Sequence, residues 1–378
     1  MSTPVFDSVP AGAGAGRRLG AEPSAGARLG GGPEASVALS PAPHSTAHPA
    51  AGLGTNESED RRRAMLRSAM GPAIERALAD PSVIEVMVNP DGALRLDILG
   101  QGRVDTGERL AAVQVERIVR LVASHARTEV HAGAPIVSAE LPPHGGGAGE
   151  RFEGLLPPVA TAPCFAIRKP AARIFTLADY VAAGICSAEC AAVLACAVAE
   201  RRNILVAGGT SSGKTTLANA LLAEMASLDE RVILIEDTRE LQCPAPDRVE
   251  LRTRAGFVTM ADLVRSTLRL RPDRIIVGEV RGPEALDMLK AWNTGHPGGI
   301  ATIHANSAPA ALTRVEQLVE ESVVTVPRRL IAEAIDIIVF IAGRGLARRI
   351  AAVARVEGVT EGGAYALADL PIHPTDPA

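Results

Sequence analysis

The sequence predicts an α/β protein: a mainly parallel sheet with helices, preceded by a smaller α/β domain and a tail. From residue 176 onward, short aliphatic runs alternate with helical segments, as in chains built from βαβ units. Residues 61–168 combine short strand-like runs with two amphipathic helical segments, which indicates a smaller α/β domain. The chain has 378 residues, more than one core usually fills, so two domains are expected.

The N-terminal segment, residues 1–60, is rich in alanine, glycine, proline and serine. Such a composition buries too little apolar surface to offset the entropy of ordering the chain, so we predict a disordered tail. We expect the N-terminal α/β domain over 61–168. A linker that begins Lys-Pro follows over 169–175, and the second domain covers 176–372.

The N-terminal domain is predicted to begin with a helix near Arg61, because apolar residues recur at helical spacing until Asp80 and Pro81. Two short strands follow, joined by an Asn-Pro-Asp-Gly turn. A helix with one apolar face and two further strands complete this domain. The predicted strands cover 83–88, 94–98, 151–156 and 164–168, and the helix covers 110–126.

The second domain contains five aliphatic runs that are short enough for buried strands. Helical segments lie between most of them, which favours parallel neighbours in one sheet. The predicted strands cover 203–207, 231–235, 274–278, 299–303 and 335–341.

The composition argues against several classes of function. A net charge of −4 and an aromatic content of 2% disfavour direct nucleic-acid binding by a charged field or by base stacking. No apolar run reaches the roughly 18 residues of a membrane-spanning helix, and the N-terminus lacks a secretion signal, so we expect a cytoplasmic protein. The five cysteines form no Cys-x-x-Cys pair, which disfavours a zinc site.

A glycine-rich segment follows the first predicted strand of the second domain and precedes a helix. Its order of residues matches the phosphate-binding loop, in which successive backbone N–H groups surround a phosphate. Lys214, one of only three lysines in the chain, is expected to bridge the β- and γ-phosphates, and the Thr215 hydroxyl to bind Mg²⁺. The predicted nucleotide-binding residues are Gly208, Gly209, Thr210, Ser211, Ser212, Gly213, Lys214, Thr215 and Thr216.

Two further strands end in carboxylates. Glu236 follows the strand 231–235 and is a candidate to activate the attacking water. The alternative, an N-cap or a solvated charge after a strand, applies more readily to Asp237 and Glu240 than to Glu236. Glu279 follows the strand 274–278, where nucleotide hydrolases place a magnesium-site acid. Glu279 either holds Mg²⁺ through water or polarises the nucleophilic water, so the roles of the two glutamates stay open.

Two histidines, His296 and His304, flank the strand 299–303. Because neighbouring strands end in site residues, we interpret both histidines as contacts to the γ-phosphate or to the attacking water.

Four segments, GGTSSGKTT, ILIEDTREL, DRIIVGEVRG and TGHPGGIATIHANS, resemble in that order the Walker A, Asp box, Walker B and His box of the type II and type IV secretion and traffic ATPases. RFEGLLPPVA, FAIRKPA and FTLADYVAAG are most similar to the TrbB-like conjugative-transfer branch, with the Flp-pilus branch next. The lack of a tetracysteine module argues against the type II exporters.

The resemblance implies a RecA-like Mg²⁺-dependent ATPase domain and a homohexameric ring. It further implies that each ATP lies between the two domains, where arginines reach the γ-phosphate. Arg151, Arg168 and Arg281 match the motif positions, with Arg239, Arg265 and Arg271 as competitors. Partners would be inner-membrane components of a secretion, conjugation or pilus apparatus, with the protein cytoplasmic or peripheral at that membrane.

The predicted function is ATP hydrolysis that powers type IV secretion or conjugative transfer through hexamer domain motions. The alternatives are a Flp-type pilus assembly ATPase and a nucleotide-gated assembly scaffold with little hydrolysis. A nucleic-acid motor is disfavoured by the charge and aromatic content given above.

Overall fold

A computed structural model of the chain describes residues 53–142, 149–170, 173–254 and 256–371. Most of the predicted tail lies outside these ranges, and the first described helix begins at Leu53. Two residues of the predicted linker, 171 and 172, also lie outside them. The domain boundaries given above therefore remain a prediction. None of the helices in the described ranges combines the length and apolar content that crossing a membrane requires.

The described residues form helices and strands in two groups. The helices are α1 (Leu53–Ala79), α2 (Ala112–His125), α3 (Leu177–Ala182), α4 (Ala188–Ala199), α5 (Lys214–Ala223), α6 (Met260–Thr267), α7 (Glu284–Asn293), α8 (Ala308–Glu320) and α9 (Arg328–Ala334). The strands are β1 (Val83–Val88), β2 (Ala93–Ile98), β3 (Gly102–Arg109), β4 (Ile136–Glu140), β5 (Arg151–Leu155), β6 (Cys164–Arg168), β7 (Ile204–Gly208), β8 (Val232–Glu236), β9 (Arg248–Arg252), β10 (Arg274–Val277), β11 (Ile300–His304), β12 (Ile337–Ala342), β13 (Arg349–Val359) and β14 (Tyr365–Asp369).

The first six strands form an antiparallel sheet in the order β3-β2-β1-β6-β5-β4. Its apolar face packs against α1 and α2, and Ile74, Ile118, Phe152 and Ile167 are fully buried between them. α1 is kinked at Gly71, which has a φ of 78° and precedes Pro72. The sequence reading missed β3 and β4, because their aliphatic signal is weak and β3 is almost wholly exposed.

The remaining strands form one eight-stranded sheet in the order β14-β13-β12-β7-β11-β10-β8-β9. The six strands from β12 to β9 in that order are parallel, and β13 and β14 add an antiparallel hairpin. Helices cover both faces, so each face has its own aliphatic core. The predicted α/β class with a mainly parallel sheet is confirmed.

The parallel arrangement decides which side chains can meet. β7, β8, β10 and β11 all end at the same edge of the sheet, and the loops that leave this edge carry the predicted motifs. In open α/β sheets, ligands bind outside the carboxyl ends of the strands. We call this edge the carboxyl edge, and the opposite one the amino edge.

Candidate active site

The phosphate loop leaves the fully buried strand β7 and enters α5 at Lys214. Gly213 caps the helix with a φ of 98°, and Ser211 has a φ of 61°. These left-handed residues turn the chain so that the N-terminus of α5, with its unpaired N–H groups, faces the carboxyl edge. The local geometry is therefore that of an anion-binding loop.

Lys214 is the buried cation of this loop, with 7% of its surface exposed. Its Nζ donates to the carbonyl oxygen of Gly209 at 3.3 Å and lies 3.2 and 3.3 Å from the two ring nitrogens of His304. Burial lowers the pKa of Lys214, Glu279 opposes that shift, and the charges of Arg168 and Arg281 reinforce it. An anion in the loop would relieve this crowding of positive charge.

Glu236, at the end of β8, is buried beneath the segment that follows it. Its Oε1 accepts hydrogen bonds from the backbone N–H groups of Glu240 at 2.9 Å and Leu241 at 2.7 Å. Burial raises the pKa of Glu236 to about 7, although these two hydrogen bonds oppose the rise. A carboxyl with a pKa near neutrality is suited to take and release a proton at physiological pH.

Glu279 follows β10 and lies between two partners. Arg281 donates from Nη2 to its Oε2. Nε2 of His304 lies 2.7 Å from its Oε1, a contact without hydrogen-bond geometry. Burial lowers the pKa of His304, and the nearby Lys214 lowers it further. Glu279 thus connects the Walker B strand to the histidine that follows β11.

Glu240 lines the same cleft as Glu279, although the sequence did not single it out as a site residue. Its Oε2 accepts a hydrogen bond from the Thr215 hydroxyl at 3.1 Å. The Asn219 side chain holds the same segment, because it donates to the carbonyl oxygen of Glu240 and accepts from the N–H of Gln242. Asn219 lies four residues after Thr215 on α5, and that helical spacing is a signal that could have suggested a shared partner.

The oxygens around Thr215 have the chemistry that a magnesium ion requires. A cleft at the carboxyl edge is lined by Thr215, Glu236, Asp237, Glu240 and Glu279, all of which carry hard oxygen donors. Among the described residues, no three His, Cys, Asp or Glu side chains are grouped closely enough to hold a metal by themselves. Mg²⁺ usually keeps several waters and shares its ligands with substrate phosphates, so one or two of these oxygens would be enough to hold it.

The antiparallel sheet reaches the same cleft through one row of residues across β4, β5 and β6. In the strand register Glu140 lies opposite Arg151, and Arg151 lies opposite Arg168. Arg151 lines the cleft, Arg168 is close enough to affect the pKa of Lys214, and Glu140 forms an ion pair with Arg252 at the end of β9. We call Glu140, Arg151 and Arg168 the basic–acidic row.

The structure separates the two predicted histidines. His304 ends β11 at the carboxyl edge, whereas His296 precedes β11 and lies at the amino edge, with its Nδ1 3.2 Å from the carbonyl oxygen of Ala291. Residues that flank one strand lie at opposite ends of it, so the chain does not bring His296 into the cleft around Lys214.

The other arginines separate in the same way. Arg281 lines the cleft and contacts Glu279. Arg265 is paired with Asp262 and Asp287 on α6 and α7. Arg271 precedes β10 at the amino edge, and Arg239 is exposed. Of the six arginines that the sequence singled out, Arg151, Arg168 and Arg281 are therefore the three that the fold places near Lys214.

Comparisons with known proteins give a consistent result. Residues 114–361 match the family described as type II/IV secretion system protein. The conjugal transfer protein TrbB of Rhizobium radiobacter is 46% identical over 295 residues, which cover 78% of this chain and 90% of that protein. The type IV secretion system protein VirB11 of Bartonella henselae is 33% identical over 291 residues, covering 66% and 80% of the two chains. In fold, the chain is similar to the pilus retraction motor PilT crystallised with ADP, with a TM-score of 0.54, 21% identity and coverage of 80% and 82%.

Proposed function

The chain belongs to the type II/IV secretion system protein family, and we propose that it is an ATPase that powers a type IV secretion or conjugative transfer apparatus. Its relative TrbB is a conjugal transfer protein, and its relative VirB11 is a type IV secretion system protein. The transfer role rests on these relatives, and the hydrolytic role rests on the site. The components of the apparatus at the inner membrane would be its partners.

One observation carries the hydrolytic role. Four motifs that lie far apart in the sequence meet at the carboxyl edge: Glu236 and Glu279 line one cleft with Arg151 of the other sheet, and His304 contacts both Glu279 and Lys214. A buried lysine in a phosphate loop, at the same edge as a carboxyl with a pKa near 7, supports phosphoryl transfer to water rather than nucleotide binding alone.

In the proposed reaction, the phosphate loop binds the triphosphate of ATP through the N–H groups at the start of α5. Lys214 then lies at the β- and γ-phosphates, and Arg281 and Arg151 face the developing charge from two sides. Mg²⁺, held by the Thr215 hydroxyl and through water by Glu279, would neutralise charge on the phosphate oxygens. These groups position and stabilise the transferred phosphoryl group.

Glu236 is the proposed general base. The attacking water forms a bond to the γ-phosphorus, its proton passes to Glu236, and the bond to the β–γ bridging oxygen breaks with its electron pair leaving on ADP. Glu236 is preferred over Glu279 because Glu279 already has an arginine and a histidine as partners. Both carboxylate oxygens of Glu279 are in contact with these two partners, Oε2 with Arg281 and Oε1 with His304.

The basic–acidic row is the proposed route from hydrolysis to movement. Arg151 and Arg168 would contact the nucleotide phosphates, while Glu140 holds β4 to β9 through Arg252. Loss of the γ-phosphate removes the anion that Arg151 faces, so the antiparallel sheet can swing about the segment 169–175. We propose that six copies of the chain form a ring in which these movements are coupled.

The test is phosphate release by Lys214→Ala beside Lys290→Ala. Lys290 is an exposed lysine in the last turn of α7, so it controls for loss of a lysine as such. Lys214→Ala should reduce turnover by about a hundredfold or more, and Lys290→Ala should leave it unchanged.

Two results would contradict the proposal. Undiminished turnover in Lys214→Ala would remove the phosphate loop from the mechanism. A burst of bound ATP without steady-state turnover in the wild type, even with the partner apparatus present, would favour the nucleotide-gated scaffold.

A further inference from the structure

The loop between β12 and β13 ends beside the phosphate loop. β12 pairs in parallel with β7, and Ile341 lies opposite Gly208 in their register. The chain therefore leaves β12 next to the start of the phosphate loop. A short 3-10 turn, Gly345–Ala347, returns it to β13, which begins at Arg349.

This loop is closed tightly by Gly343, which has a φ of 79°. A Cβ atom at Gly343 would lie 2.0 Å from the carbonyl oxygen of Ala347, so the two ends of the turn approach too closely for any side chain there. The closure fixes the backbone of Arg348, the last residue of the loop, relative to the sheet.

The Arg348 side chain lies against the phosphate loop. A Cβ atom built at Gly213 would be 2.8 Å from Nε and 2.9 Å from Cζ of Arg348. The guanidinium group thus occupies the space where any other residue at position 213 would put its side chain. Gly213 directly precedes Lys214, so Arg348 approaches the loop at the N-terminus of α5.

This guanidinium has neither a hydrogen-bond acceptor for its Nε nor an ion-pair partner among the described residues. Its Nε is buried without a hydrogen-bond partner there, and its side chain forms no ion pair with any of their acids. The Tyr180 hydroxyl is also buried and unpartnered, and its electrostatic interaction with Arg348 indicates that the two are near each other. Arg348 is half-buried as a whole, but a buried guanidinium N–H without an acceptor is costly to maintain, so an anion should complete the site.

Arg348 is, we propose, a phosphate-binding residue that the β12–β13 loop supplies to the α- or β-phosphate of the nucleotide. This inference rests on the proposed ATPase function. The planar fork of a guanidinium pairs with two phosphate oxygens at once, whereas Lys214 acts as a point charge. A phosphate loop cradles the α- and β-phosphates, which ATP and ADP share, so a residue that lies against Gly213 of this loop should bind both nucleotides equally well.

The test compares nucleotide affinity in Arg348→Ala and Arg349→Ala, measured as displacement of a fluorescent nucleotide by MgATP and by MgADP. Arg349 is the next residue, is exposed and has the same charge, so it is the matched control. Arg348→Ala should weaken binding of both nucleotides by a similar factor, roughly tenfold to a hundredfold, and Arg349→Ala should change neither.

Three results would overturn the role of Arg348. These are equal affinities in the two alanine variants, a loss confined to ATP, and a loss fully restored by Arg348→Lys, which keeps the charge without the fork. If Arg348→Ala does not fold, the affinities for MgATP and MgADP are compared in Arg348→Lys and Arg349→Lys instead. Arg348→Lys should then weaken binding of both nucleotides, and Arg349→Lys should not. A wild-type chain that binds no nucleotide would instead contradict the proposed function, so the two failures are distinguishable.

Discussion

The two edges of the parallel sheet both carry charged side chains, but they use them differently. At the amino edge, Arg274 is 1% exposed and bonds through Nε to Glu230, which also accepts from Arg201 at 2.6 Å. Asn203 completes this edge, because it donates to the carbonyl oxygen of Ala334 and accepts from the N–H of Gly299. Opposite charges are paired at this edge, although Nη2 of Arg274 is buried without a hydrogen-bond partner among the described residues.

At the carboxyl edge, like charges are brought together. Lys214 is buried near Arg168 and Arg281, and Glu236 is buried near Glu240. Burial, and after it these like charges, move the pKa values of Lys214 and Glu236 away from their ordinary values, as is usual for catalytic groups. Pairing thus stabilises the fold at the amino edge, whereas at the carboxyl edge Glu279 only partly offsets the buried charge of Lys214 and its arginine neighbours, which prepares that edge for an anion.

The largest expected effect is on turnover in Glu236→Gln. Loss of the proposed base should reduce ATP hydrolysis by about a hundredfold to ten-thousandfold, while nucleotide affinity stays near the wild-type value. Wild-type turnover should rise as the pH passes through about 7, since the Glu236 carboxyl must be ionised to accept a proton. In Glu236→Gln that rise should disappear from a pH profile of phosphate release.

Thermal stability gives the same variant a second readout. Between about pH 4.5 and 7, the folded chain keeps a proton on Glu236 that the unfolded chain has released, so this group lowers stability as the pH rises. Glu236→Gln should therefore be more stable relative to wild type at pH 8 than at pH 5, by up to about 3 kcal/mol. Glu357→Gln, on an exposed pair with Arg355, should show no such trend. If phosphate release by Glu236→Gln and by the wild type had the same pH profile, Glu236 would not be the base.

The next effect is on folding, at the amino edge. Glu230→Ala leaves Arg274 buried without its carboxylate and should destabilise the chain by about 3–5 kcal/mol in denaturant unfolding. Removing the exposed partner in Glu357→Ala should cost less than about 1 kcal/mol. Turnover per folded molecule should not change in either variant. A large fall in turnover with little loss of stability in Glu230→Ala would mean that the two edges do not differ as described.

The smallest effect separates the two histidines. His304→Ala removes the group between Lys214 and Glu279 and should lower turnover about tenfold. His296→Ala removes a side chain at the amino edge and should leave turnover unchanged. Steady-state phosphate release, measured at one pH for the wild type and both histidine variants, tests this difference. If His296→Ala has the larger effect, His296 takes part in the site from a neighbouring copy of the chain.

The sequence predicted the strands that the core requires and the motifs that the strands carry. Aliphatic runs locate β7, β8, β10, β11 and β12 because a parallel strand must be apolar on both faces. The aliphatic pattern did not predict the edge strands β3 and β9. Most residues of β3 are exposed, and exposed and half-buried residues alternate along β9. The candidate site was therefore predictable wherever a motif directly follows a central strand.

Contacts between distant segments were not predictable from local pattern. Nothing in the residues around Glu240 indicates that the Thr215 hydroxyl donates a hydrogen bond to it. Arg348 is one of many arginines in the sequence, and only the fold shows that its side chain lies against Gly213. His296 misled the sequence reading, because two histidines close in sequence lie at opposite ends of one strand. These contacts and positions follow from the order and direction of the strands, which the spacing of apolar residues along the sequence does not indicate.

The basic–acidic row makes the site sensitive to a kind of change that substitutions do not test. Glu140, Arg151 and Arg168 reach the second sheet from neighbouring strands at one register position. Side chains alternate between the faces of a strand, so inserting one residue within β5 would turn Arg151 to the apolar face and Phe152 outward. A single added residue in this strand would therefore remove Arg151 from the cleft that it lines.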